Sequence, residues 1–134
     1  WRGRSFYRDR IANQEDLQLA FYAKMVGQDQ WAHTAYFIIK DAMLISRNQQ
    51  GFQEAQAIDP DSDHVQVYET LWEKMERTFE WRWQQLQAGK IELRTEHTDH
   101  LLDLFYDDLD WEDLLAMKTD GARFDDYKAL VDRI

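Results

Sequence analysis

The side chains able to do chemistry are few, and most crowd into one short stretch. In RTEHTDH, residues 94–100, Glu96, His97 and His100 share one helical neighbourhood and offer the carboxylate and imidazole donors that a first-row metal takes. The same spacing serves a plain polar turn, so neither a metal nor another cofactor is expected. Asp59-Pro60-Asp61-Ser62-Asp63 places acids at positions 1, 3 and 5 of a calcium loop. Such a loop needs glycine at position 6 and a bidentate glutamate at 12, and His64 and Thr70 stand there instead. It reads as a capped loop between helices. A carboxylate-bridged di-metal bundle wants Glu-x-x-His on two helices, and no histidine here has a glutamate three residues before it. Ser5, Ser46 and Ser62 lie in no strand–turn–helix elbow, and there is no glycine-rich phosphate loop.

Arg94 and His100, with five residues between them, resemble the Arg-x(4–6)-His signature of the HEPN ribonucleases, a family of small all-α domains. The resemblance covers seven residues. It implies that Arg94 steadies the phosphate and His100 handles the proton in a dimer cleft. Glu96 and Asp99 sit inside this motif, and six more acids follow as far as Asp113, a field that repels an RNA backbone. A ribonuclease or metal-dependent enzyme centred on Arg94, Glu96, His97 and His100 is therefore the alternative reading.

The first reading comes from the acids themselves. Between Glu96 and Asp113 stand eight carboxylates and no Lys or Arg, interleaved with Leu101, Leu102, Leu104, Phe105, Leu109 and Trp111. Apolar residues at that density mark a segment that wants burial, yet its charge is left unbalanced. Unneutralised carboxylates with aromatics between them suit a cationic groove on a partner, where they steer association and set specificity. Asp103, Asp107, Asp108, Asp110, Glu112 and Asp113 are the candidate contacts, with Trp111 or Trp81 as a hydrophobic anchor. Trp81 enters because it lies about 200° around its helix from Phe79 at 3.6 residues per turn, off the main apolar stripe. Tryptophan is enriched at the energetic centres of interfaces. His33, alone and off the stripe of its own segment, reads as a surface or satisfied side chain.

Charge over the whole chain points the same way. The net is −10, and residues 91–134 carry thirteen acids against five bases. Such a field argues against direct nucleic-acid binding, which needs clustered Lys and Arg. Residues 1–10, WRGRSFYRDR, are the exception, with four Arg and one Asp. Docking of this basic stretch on the acidic face of a second copy would make a symmetric homodimer. No apolar run approaches the length of a membrane span. The absence of cysteine suits a reducing compartment, so the cytoplasm is expected. A start at Trp1 rather than Met suggests a piece or processed product of a longer chain.

Those residues need elements to hold them. Five Gly and one Pro in 134 residues mark few breaks. Asn13 as a cap and Gly27 as a stop frame a helix over about 14–26, with Leu17, Phe21 and Met25 on its inner face. Asp29 can cap a second, over about 30–48, where Trp31, Ala35, Ile38, Ala42 and Ile45 step by four and three. Asp63 opens the longest, about 64–88, with Val65, Tyr68, Trp72, Met75 and Phe79 as its stripe. Shorter helices follow to Ile134. The pattern predicts an all-α fold, a single-domain antiparallel bundle of four to six helices around one long central helix. Residues 1–12 are expected as a basic arm and residues 13–134 as the helical domain with its acidic C-terminal third. The expected function is a non-enzymatic interaction protein (an inhibitor, immunity factor or adaptor) that binds a basic protein surface. A structural subunit of a larger assembly is a third possibility, suggested by the aromatic content.

Overall fold

The stretch AYFIIKDAMLIS turns back on itself instead of coiling. In the computed structural model, which describes residues 3–91 and 113–115, strand β1 (Ala35–Ile38) pairs antiparallel with strand β2 (Met43–Ser46), with Ala35 opposite Ser46 and Ile38 opposite Met43. A short 3-10 turn, Ile39–Asp41, joins them, and Ala42 completes the reversal at φ 48, ψ 43. A third strand, β3 (Gln56–Ala57), runs parallel to β2, so the sheet order is β1-β2-β3. The expected all-α bundle of four to six helices is overturned: the described residues form three helices and a three-stranded mixed sheet. The predicted helix over 30–48 fails because AYFII, residues 35–39, is a continuous apolar run whose periodicity does not separate helix from strand. Tyr36, Phe37, Ile38 and Ile45 are the β-branched and aromatic types that pack well on a pleated surface.

The chain divides into two compact units, Trp1–Glu73 and Lys74–Ile134. In the first, the core gathers Ile11, Leu19, Ala20, Ala23, Ile38, Ile45, Tyr68 and Leu71. Helix α1 (Arg4–Ala12) contributes Ile11, fully buried, and Tyr7, whose ring lies 4.5 Å from that of Tyr36 on β1. The stretch expected as a basic arm is thus helical from Arg4 and tied into the core. Helix α2 (Leu17–Gly27) begins three residues later than its sequence pattern suggests, after Gln14 takes a left-handed φ of 54.

Helix α3 (His64–Gln87) nearly coincides with the predicted 64–88. Its start is local chemistry: Asp63 Oδ1 accepts the Val65 N–H at 2.9 Å, satisfying one of the orphan donors of the first turn. Its inner face is His64, Tyr68 and Leu71, rotated from the predicted stripe. Val65, Trp72 and Met75 are half-buried, and Phe79 is exposed.

Candidate functional site

Three arrangements in the described residues could do work, and their geometry separates them. The first is a polar cluster inside the Trp1–Glu73 unit. Asp16 immediately precedes α2, and its carbonyl accepts the Leu19 N–H at 2.9 Å. Its carboxylate meets Arg47, at the end of β2, with Oδ1 2.5 Å from Nη2. Both side chains are enclosed, at 0 % and 2 % exposure. Burial pushes the Asp16 carboxyl above its ordinary range, and the Arg47 charge only partly opposes that. The guanidinium lies 6.0 Å from the Tyr68 ring centre. The Tyr68 hydroxyl in turn pairs with Thr34 Oγ1 at 2.8 Å, and the Thr34 hydroxyl reaches the Leu19 carbonyl at 3.4 Å. Burial raises the Tyr68 phenol as well, and brings Tyr36, next to the same cluster, up to about 12.

Two histidines lie beside this cluster. The His33 and His64 rings stack with centroids 4.1 Å apart, 30° from parallel. Neither His64 nitrogen, nor Nε or Nη1 of Arg47, has a hydrogen-bond partner among the described residues. These groups line a crevice of about 10 Å³ together with Asn48, Gly51 and Tyr68. That is room for one water and no more. A Cβ on Gly51 would run into the His33 side chain, so glycine is what lets the 47–55 connection close over the imidazole. An imidazole pair, an arginine and a tyrosine could in principle move protons and hold a phosphate. Here the space admits no substrate, so the cluster acts as a polar clasp between the start of α2, the end of β2 and the start of α3.

The second arrangement is the outer face of α2. Ala20 and Ala23 face the core with Leu19, whereas Phe21, Tyr22, Met25 and Val26 are 42 %, 48 %, 64 % and 74 % exposed. Of the predicted inner face, Phe21 and Met25 are exposed, while Leu17 is half-buried against the core. Phe21 stacks on Trp72 at 6.3 Å, and Lys24 reaches over Trp31 and Trp72 at 4.8 and 5.8 Å from their ring centres. Cation and rings hold one another in place, leaving Met25 and Val26 bare beside them.

The third lies in the Lys74–Ile134 unit. Phe79 and Trp83, one turn apart on α3, are exposed and nearly parallel, 10° and 6.3 Å between ring centres. Trp81, the sequence-predicted anchor, is half-buried with the Arg82 guanidinium 4.4 Å from its ring centre. Of the acidic candidates, Asp113 is described. Its carboxylate is turned outward and accepts from Arg77 at 2.9 Å, while Leu114 beside it is buried and the Leu115 N–H donates to Thr78 Oγ1 at 2.8 Å.

Asp103, Asp107, Asp108, Asp110, Trp111 and Glu112 lie outside the described residues, as do Arg94, Glu96, His97 and His100. The Asp16–Arg47 pair and the exposed face of α2 were missed from sequence. The one signal for the face was that α2 is apolar on every side, which a helix with a solvated outer face is not. Comparison of the chain with protein families, with curated proteins and with solved structures finds no match in any of the three. No helix among the described residues is long and apolar enough to cross a membrane.

Proposed function

We propose that this chain is a non-enzymatic interaction module of the cytoplasm that binds a basic protein surface, as an inhibitor, immunity factor or adaptor does. One observation carries the reading: α2 turns its small residues inward and leaves Phe21, Tyr22, Met25 and Val26 in water. Contiguous large apolar side chains are uncommon on the surface of a monomer and mark places where another molecule sits. The exposed Phe79 and Trp83 give the second unit a surface of the same kind. The carboxylates from Glu96 to Asp113 supply the charge that draws in a cationic partner, through a field that salt weakens.

The test is capture by the tagged full chain from host lysate at low and high salt, run beside two variants. Met25→Gln/Val26→Gln removes apolar surface without charge and without disturbing the core. Asp107→Lys/Asp108→Lys/Asp110→Lys reverses the acidic block. A basic protein retained by the native chain, lost from the charge variant and weakened at least about tenfold by the α2 variant is the expected result. Equal retention by all three would sink the proposal.

A further inference from the structure

A cleft of about 580 Å³ opens where the start of α1 meets β1 and the 3-10 turn. That volume is typical of sites for small organic molecules. Its walls are mostly apolar. Phe37 and Ile39 are 60 % and 67 % exposed, Ile38 between them is buried, and the Tyr7 ring packs against those of Tyr36 and Phe6, at 4.5 and 5.2 Å between ring centres. Two cations sit on this apolar surface. Arg4 Nη2 donates to Gln56 Oε1 at 2.6 Å, a neutral partner, and Arg4 makes no ion pair among the described residues. Lys40 makes no ion pair among the described residues. Asp41 is the single acid among the described lining residues, so these carry one excess positive charge.

We propose that this cleft binds a small apolar molecule bearing one carboxylate, with its headgroup at Arg4 and Lys40 and its body along Tyr7, Phe37 and Ile39. The single excess charge matches a monoanion. Arg4 and Lys40 are both exposed along the cleft and offer that anion charge-assisted hydrogen bonds, which are stronger than those between neutral groups. The strand and helix that frame the cleft are tied into the core through Ile38 and Ile11, so the site is already formed before a ligand arrives. Nothing in this inference depends on the outer face of α2 or on the acidic block.

Isothermal titration of the full chain with decanoate, and with decanamide as the neutral isostere, tests it. Decanoate is expected to bind saturably at one site, with decanamide at least about tenfold weaker. Lys40→Gln and Arg4→Gln should each weaken decanoate several-fold and leave decanamide unchanged. Met25→Gln/Val26→Gln should change neither, which separates the cleft from the apolar surface of α2. Equal affinity for acid and amide, indifference to both charge variants, or failure of decanoate to saturate would each overturn the proposal.

Discussion

Asp16 and Arg47 are 31 positions apart in sequence and 2.5 Å apart in the fold, and no local pattern announces that pairing. Its energetics are asymmetric. Two charges taken out of water cost several kcal/mol each, and their attraction roughly offsets that cost, so the intact pair adds little stability. Removing one partner is different. Asp16→Ala strands the buried guanidinium and should cost about 3–5 kcal/mol in urea denaturation. Asp16→Leu together with Arg47→Met removes both charges and should cost less than either change alone. A double variant as unstable as the single ones would show that the pair itself stabilises the fold. His33 contributes at the same scale through pH. Burial, and then the neighbouring His64, lower its pKa below the ordinary 6.5. Between the lowered value and 6.5 the unfolded chain binds more protons than the folded one, so stability rises with pH across that window and is fully present above it. Acidification from about pH 7.5 to 5.5 should lower the urea midpoint, and His33→Gln should flatten that slope. An unchanged slope in the variant would remove His33 from the account.

Elements differ in how much of them could be read from local pattern. Helix α3 was legible because Asp63 caps it and its apolar residues keep a helical rhythm for six turns, a signal that long-range packing does not disturb. Helix α2 was legible in extent and not in orientation. Leu17, Leu19, Ala20, Phe21, Tyr22, Ala23, Met25 and Val26 put apolar groups on every side, so periodicity cannot choose the inner face. Close approach to the core can, and it selects the small residues Ala20 and Ala23. The β1–β2 hairpin was not legible, because its reversal rests on an alanine rather than the Asn or Gly that usually signals one. Ala42 holds a left-handed conformation that costs a residue with a Cβ about 1–2 kcal/mol. Ala42→Gly relieves that strain and returns about 0.4–1 kcal/mol through a freer unfolded chain. The net expectation is a gain of up to about 1.6 kcal/mol in denaturation; a loss would mean the Ala42 methyl makes a contact that outweighs the strain.

At the scale of the whole molecule, charge is laid down unevenly, basic in residues 1–10 and strongly acidic beyond residue 90. Long-range fields of this kind act on partners rather than on the fold. Their reach is about 8 Å at physiological ionic strength and about 3 Å at 1 M salt. Capture of a basic partner should therefore fade with salt in the native chain and be absent at every salt in the triple charge reversal, while the helical signal of that variant stays native. Capture that ignores salt would assign the interface to Phe21, Tyr22, Met25 and Val26 alone. Arg4 and Arg10, in the basic stretch, are already engaged, with Gln56 at 2.6 Å and Glu15 at 3.1 Å. Because α1 carries Tyr7 and Ile11 into the core, self-association is better probed by Arg8→Glu, at an exposed position, than by deleting residues 1–10.

Local and compositional properties were determined by the sequence alone: the span and cap of α3, the acidic bias and the turn at residues 59–63. Each depends on neighbours a few positions away or on a plain count of charges. The sheet, the buried ion pair, the choice of inner face on α2 and the cleft beside Arg4 and Lys40 were decided by tertiary structure. The ion pair and the cleft bring together residues far apart in the chain, while the hairpin and the α2 face are local choices that local pattern leaves open and packing against the core decides.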